Sequence, residues 1–309
     1  MRWVATHGGD GRFERLGLVE RGEVRLFDSG ACLIDCLATE GGLAQAAQSA
    51  HRRPRAVQPL ESLNIGPPID RPPSVRDFSA FEKHIVTVAN GIGFKVPSAW
   101  YEIPGFYFSN PRAVVGPDDD VAIPVGSSML DYELEVALVV GHHNPRHLEA
   151  DPMAAIAGLV IMNDWSARDL QERELALGLG PVKSKDFATS LGPFFVTLDE
   201  LEPHRTATSF DLHMLARVNG VQYSAGSLAD IYHPLADLVR YAARNTVLQP
   251  GEVIGCGTCG TGCILELSLT HGGTAYPWLK AGDVVELEVG QLGTLRNRIV
   301  ESTQSWGEQ

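Results

Sequence analysis

Apolar and polar residues alternate over positions 2–27 of this 309-residue chain, with breaks at Gly8-Gly9 and Arg21-Gly22. Period-two alternation between glycine breaks predicts short antiparallel strands. Cys32, Leu33, Cys36, Leu37 and Leu43 then recur at helical spacing, predicting a helical stretch over 31–50. Pro54, Pro59, Pro67, Pro68, Pro72 and Pro73 mark the next stretch as a linker, with a boundary near 64–70. The expected organisation is a small N-terminal α/β domain over 1–65 and a catalytic domain over 66–309. In the second part, 114–116, 121–123, 133–140, 211–218, 263–269 and 284–289 read as strands. Positions 154–163 read as a small-residue helix turning into an apolar strand, and 164–175 and 235–244 as helices. Strands outnumber helices, so the predicted class is β-rich α+β, and no internal repeat interrupts it.

Composition narrows the function classes. Hydrophobic residues make up 44% and charged residues 20%, an ordinary balance for a globular protein. The formal net charge of −13 argues against a nucleic-acid or anionic-membrane partner. No apolar run approaches the roughly 20 residues needed to span a bilayer. Met1–His7 is followed by glycine and aspartate, so a signal peptide is not expected. The five cysteines, Cys32, Cys36, Cys256, Cys259 and Cys263, are odd in number, which argues against a disulfide framework. Cys256, Cys259 and Cys263 have zinc-like spacing but no second Cys/His pair nearby, so a structural zinc is not expected. A reduced, cytoplasmic protein is the expectation.

The chemistry concentrates in a few segments. In Asp131-Tyr132-Glu133-Leu134-Glu135, Glu133 and Glu135 fall on one strand face and Leu134, Val136 and Leu138 on the other. A half-exposed strand with its polar side outward would account for that pattern. Ala137 and Val139 continue the glutamate face as apolar, however, and a carboxylate pair on a buried face needs a counter-charge such as a metal ion. Asp164, after the apolar run 158–163, suits a helix N-cap or a metal site. Arg168 and Gln171 follow at helical spacing, so the three would share one face. His84 follows Asp77 by seven positions, and Glu266 interrupts an apolar run. A lone histidine is most often a surface or satisfied core residue. A buried carboxylate needs a partner, and an imidazole is a plausible one. Lys183 and Lys185 offer further cations, or else a solvated loop.

These segments together resemble the fumarylacetoacetate hydrolase family over roughly 66–300. Asp-x₆-His, Glu-Leu-Glu, Asn-Asp-Trp-Ser-Ala-Arg-Asp-x-Gln, Lys-Asp-Phe-Ala-Thr-Ser-Leu-Gly-Pro and Gly-Thr…Leu-Glu-Leu occur in family order. The resemblance implies a mixed β-roll, usually dimeric, with Mg²⁺, Mn²⁺ or Ca²⁺ held by Asp77, Glu133, Glu135 and Asp164. It makes His84 the general base, oriented by Glu266. Arg168, Gln171 and Lys185 become the groups that stabilise developing negative charge. Lys185 is preferred to Lys183 because Lys185-Asp186-Phe187 matches the family Lys-x-Phe, at the expense of a one-residue insertion after Asp164. Thr258, Ser79 and Tyr107 are assigned to the substrate side.

The departures concern the substrate pocket. Where fumarylacetoacetases carry tyrosine, arginine and tyrosine, this chain has Ser79, Gly93 and Leu175. The expected activity is therefore hydrolysis of a carbon–carbon bond in a 1,3-diketo acid or diketone other than fumarylacetoacetate. Water activated by His84 would attack a carbonyl polarised by the cation. Decarboxylation, tautomerisation or hydration through the same enolate is the nearest alternative, and a non-catalytic relative is a third.

Overall fold

The computed structural model describes residues 1–8, 12–27 and 30–303. Gly9, half of the first predicted break, lies outside the described residues. The early alternation becomes the antiparallel strands Arg2–His7, Phe13–Glu20 and Glu23–Leu26. Arg21 and Gly22 join the last two with φ of 51° and 83°. Positive φ at both turn residues matches the right-handed twist of the flanking strands. The predicted 31–50 helix is two helices, Leu33–Leu37 and Gly42–Arg52.

Arg2–His7 also pairs with Thr189–Thr197. From there one mixed sheet of 12 strands continues through Ile156–Asp164, Leu134–Val140, Val253–Gly255, Val75–Phe78 and Phe106–Ser109. Segments on both sides of the proline-rich stretch thus share one sheet. A second sheet of five strands is ordered Val221–Ser227, His213–Val218, Val284–Val289, Gly293–Val300 and Asp120–Ala122. The fold is the expected sheet-rich α+β roll, with helices a minority.

Leu134–Val140 is buried at every position. Leu134, Val136, Leu138 and Val140 join the main core with Leu287, Leu295 and Ile299. Ala137 and Val139, on the glutamate face, join a second core with Trp3, Val160, Met162 and Phe195. A strand covered on both faces excludes the half-exposed reading of Glu133 and Glu135.

Two predicted elements differ. Residues 263–269, expected as a strand, form the N-cap and most of the helix Ile264–His271. A short apolar run fits either element by periodicity alone, and tertiary contacts decide. Here the Asp131 carboxylate accepts the N–H groups of Ile264 (2.7 Å) and Leu265 (3.0 Å), satisfying donors at the helix start. The helix expected from Asp164 begins instead at Arg168. Asn163 and Asp164 stay in the ladder opposite Ser190 and Thr189, so Asp164 is a strand end, not an N-cap. Only Arg168 and Gln171 share a helical face.

One buried ion pair braces the sheet beside the chemistry-bearing strands. Arg76 Nη1 donates to Glu252 Oε2 at 2.6 Å, and both side chains are 7% exposed. Removing one partner leaves the other charge buried and unpaired. Glu252→Ala is therefore expected to destabilise the protein by about 3–5 kcal/mol, read as a lowered urea midpoint at unchanged m-value.

Candidate metal centre and acid–base pair

Three neighbouring segments bring carboxylates to one end of the large sheet. Asp164 ends Ile156–Asp164, Glu133 and Glu135 sit at the start of Leu134–Val140, and Asp77 lies in Val75–Phe78. Between the last two runs Val253–Gly255, with Gly255 in register opposite Asp77. A Cβ at Gly255 would stand 2.4 Å from Asp77 Oδ1, so the glycine leaves the space that carboxylate occupies. Asp77, Glu133 and Glu135 offer oxygens within 4.8 Å of one another. All four carboxylates are buried, none more than 5% exposed.

Their hydrogen bonds divide the oxygens into two sets. Tyr107 Oη donates to Asp77 Oδ2 at 2.7 Å and also to Asp164 Oδ2. Glu133 receives Arg168 Nη2 (2.8 Å) on one oxygen and Lys185 Nζ (2.7 Å) on the other; Lys185 also donates to Asp164. Glu135 receives Gly257 N–H at 3.1 Å and Thr258 Oγ1–H at 3.3 Å. Asp77 Oδ1 and Asp164 Oδ1 are buried with no partner among the described residues. An unpartnered buried carboxylate oxygen is costly. Two of them in an all-oxygen cluster fit a hard divalent cation, which Asp77, Glu133, Glu135 and Asp164 would hold.

Electrostatics agree with the geometry. Burial, and then the Asp164 charge, pushes the Asp77 carboxyl well above its ordinary range. Burial and then Asp77 do the same to Glu135. Glu133 goes the other way, because Lys185 and Arg168 outweigh its burial and hold it low. Tyr107 is raised by burial and by Asp164, so its hydroxyl stays protonated and donates.

Beside this cluster stands a second pair. His84 Nδ1 lies 2.9 Å from Glu266 Oε2, and Glu266 is 2% exposed. The two residues are on facing helices, Glu82–Gly91 and Ile264–His271, which approach closely where Gly91 meets Leu269. Asp131 ties this pair to the carboxylates: it anchors the start of the Glu266 helix and accepts Arg168 Nε at 2.8 Å. Arg168 Nη1 then donates to Gln171 Oε1 at 3.0 Å, which leaves the Gln171 amide nitrogen free to donate elsewhere.

Arg168 and Lys185, expected to face developing charge, spend donors on protein carboxylates. Tyr107 and Thr258, assigned to substrate, bond Asp77, Asp164 and Glu135. The Ser79 hydroxyl has no hydrogen bond among the described residues. Gly93 and Leu175 are exposed. Lys183 points to solvent and pairs with Asp186 at 2.7 Å.

Sequence reasoning missed Asp131, although it continues the 131, 133, 135 alternation. It also missed Asn163, whose side-chain oxygen accepts Glu133 N–H at 2.9 Å, and Gly255. Glu174 had no signal: its carboxylate clamps the loop before Lys185 by accepting the N–H groups of Val182 and Lys183 (2.7 Å each) and the Ser184 hydroxyl (2.6 Å). A cleft of about 730 Å³ lies elsewhere, lined by residues including Arg2, Glu20, Arg25, His51 and Glu200. Arg25 and His51 both meet Glu20 there, at 3.0 Å and 3.5 Å; we place the chemistry instead where the buried carboxylates gather.

Residues 74–300 match the family described as fumarylacetoacetate (FAA) hydrolase, C-terminal. The chain belongs to this family. It is 33% identical over 191 residues to human mitochondrial oxaloacetate tautomerase FAHD2A, covering 61% of this chain and 56% of that protein. It is 32% identical over 201 residues to the Bacillus subtilis (strain 168) oxaloacetate tautomerase YisK, covering 64% and 62%. It is 29% identical over 239 residues to Arabidopsis thaliana fumarylacetoacetase, covering 60% and 56%. The chain thus spans less than two thirds of these curated relatives. Among solved structures, maleylpyruvate hydrolase from Sphingobium sp. SYK-6 in complex with manganese(II) and pyruvate superposes with a TM-score of 0.70 at 20% identity, covering 98% of this chain and 100% of that one. Fumarylacetoacetate hydrolase from Exiguobacterium antarcticum gives 0.70 at 23% identity with the same coverage. At those identities the likeness establishes the fold.

Two outcomes are expected of this family member. Gly255→Ala should weaken Mn²⁺ or Mg²⁺ binding by about tenfold or more through displacement of the Asp77 carboxylate, with circular dichroism unchanged and affinity read by calorimetry. The second concerns pH. The folded-state values of Asp77 and Glu135 are raised, so the cation-free folded protein holds protons that the unfolded chain releases. Their contribution to stability is complete below the ordinary carboxylate range and is lost as pH rises through the raised values. A bound cation would replace those protons. The melting temperature of chelator-treated protein should fall as pH rises above the ordinary carboxylate range, and added Mg²⁺ should raise it more at the higher pH.

Proposed function

We propose that this protein is a divalent-cation-dependent enzyme that hydrolyses a carbon–carbon bond in a small 1,3-dicarbonyl acid of the acylpyruvate type. The observation that carries this reading is the 2.9 Å contact between His84 Nδ1 and the buried Glu266 carboxylate. A carboxylate on Nδ1 fixes the imidazole so that Nε2 can accept a proton. The all-oxygen donor set favours Mg²⁺, with Mn²⁺ or Ca²⁺ as substitutes. When bound, such a cation supplies Lewis-acid polarisation of substrate oxygens.

The protein's own residues carry the proton steps. His84 takes a proton from water, and the water oxygen bonds to the distal carbonyl carbon. The bond between that carbon and the methylene breaks, and its electron pair leaves as the enolate of the 2-oxo acid. His84 returns the proton to the methylene carbon, yielding a carboxylic acid and pyruvate. The free Gln171 amide and the donor that Lys185 retains beyond Glu133 and Asp164 are suited to the enolate oxygen. Each such donor is worth about 3 kcal/mol in a water-excluded site. With Ser79, Gly93 and Leu175 at the outer positions, no tyrosine or arginine there holds a distal carboxylate. A shorter or uncharged acyl end therefore suits this pocket better than fumarylacetoacetate.

A second reading has a specific support: the human and Bacillus subtilis relatives are oxaloacetate tautomerases. Tautomerisation would use His84 to move a proton between carbon and the enol oxygen without adding water. Turnover of an acylpyruvate panel with Mg²⁺ separates the two. A carboxylic acid plus pyruvate, abolished by chelator, is expected. An isomer of unchanged mass, or release of CO₂, overturns the hydrolase. His84→Ala should lower kcat by about 10²–10⁴-fold while calorimetric Mg²⁺ affinity is retained; undiminished turnover would remove His84 from the mechanism.

A further inference from the structure

The acid–base pair has a third neighbour that the mechanism does not use. The Cys263 sulfur, a ring nitrogen of His84 and a carboxylate oxygen of Glu266 lie within 4.8 Å of one another. Cys263 is fully buried and stands at the N-cap of the helix Ile264–His271, its sulfur 3.5 Å from the Glu266 amide nitrogen. This donor set differs in kind from the carboxylate cluster, which offers oxygen alone. Thiolate, imidazole and carboxylate together suit a borderline-soft ion, whereas Mg²⁺ and Ca²⁺ prefer oxygen.

We propose that His84, Cys263 and Glu266 form a second cation site, selective for a thiophilic divalent ion such as Zn²⁺, and that filling it inhibits the enzyme. Three protein ligands with water in the fourth position is a coordination zinc accepts. The ligand atoms lie within 4.8 Å of one another, and a shared ion would draw them together. The His84 side chain is 15% exposed and Glu266 2%, so an ion from solvent meets the imidazole first. On binding, the Cys263 S–H bond breaks, a sulfur–metal bond forms and the proton leaves to solvent, with no change of oxidation state. The His84–Glu266 hydrogen bond gives way at the same time, the ring proton shifting to Nε2 as Nδ1 takes the metal. A metal-bound imidazole cannot accept a proton from water. Inhibition therefore rests on the reading of His84 as base, while binding does not.

Binding is read first, on the full chain with Mg²⁺ saturating the carboxylates. Titrated Co²⁺ should produce a thiolate-to-cobalt charge-transfer band, and Zn²⁺ should bleach it while binding as one equivalent beyond the Mg²⁺. Cys263→Ser should abolish the band and weaken that equivalent by more than the roughly 10–100-fold that losing an outer-shell partner costs. Cys259→Ser should keep both. No band in the wild-type protein, or Zn²⁺ merely exchanging one for one with Mg²⁺, overturns the site whether or not the variants fold. A band that survives Cys263→Ser overturns it as well. Turnover is read second: Zn²⁺ should inhibit the wild type and spare Cys263→Ser. If the band behaves as expected but Zn²⁺ leaves turnover intact, the inhibition and the role of His84 fall together and the site stands.

Discussion

Burial of like charge at one end of a sheet is the constraint on which the rest of this structure depends. Asp77, Asp131, Glu133, Glu135 and Asp164 are all buried, against the two buried cations Arg168 and Lys185. Ionised carboxylates in a low-dielectric interior are tolerated only when paired, hydrogen-bonded or bound to metal. The local architecture answers that demand strand by strand. Tyr107 holds one oxygen from each of two aspartates, and Gly257 and Thr258 cover Glu135. Gly257 serves because φ is +88° there and a Cβ would sit 2.3 Å from the Phe78 carbonyl oxygen. What these contacts leave over, the second oxygens of Asp77 and Asp164, is the part a divalent cation would complete.

Asp131 and Arg168 extend this arrangement to the acid–base pair. One Asp131 carboxylate receives two backbone N–H groups of the Glu266 helix and the Arg168 guanidinium, while Arg168 reaches Glu133. The helix that aims Glu266 at His84 is therefore fastened to the same frame that holds the carboxylates. Charge-assisted bonds of this kind are shorter and stronger than neutral ones. A disturbance at Arg168, the residue expected to stabilise developing negative charge, would reach both centres at once.

How much of this was legible depends on which signals are local. Strand periodicity exposed the glutamate pair and its partly apolar face, and the order of five motifs supplied the family. The early alternation marked strands that exist, whereas the proline-rich stretch holds the strands Ala56–Pro59 and Ile65–Gly66. Periodicity could not tell strand from helix over Ile264–His271, because the determinant is the Asp131 carboxylate more than 130 residues away in sequence. The cap alternative for Asp164 stayed open because an aspartate after an apolar run looks alike whether the ladder ends there or continues to Thr189. Glu174 and Gly255 were silent for the same reason. Their roles are distances to other segments, and a sequence contains no distances.

Hydrolysis and tautomerisation share everything the carboxylate cluster provides and diverge at a single atom, the oxygen of an attacking water. Both need an enolate stabilised beside a cation, so the cluster alone cannot choose between them. The choice rests on what stands opposite it. An imidazole oriented by a buried carboxylate can hold a proton through the lifetime of an attack and then return it to carbon, which the cleavage of a 1,3-dicarbonyl requires. Tautomerisation asks less, since one group need only move a proton within the substrate. The Glu266–His84 pair meets the larger of the two demands, and that is what supports the proposed hydrolase reading.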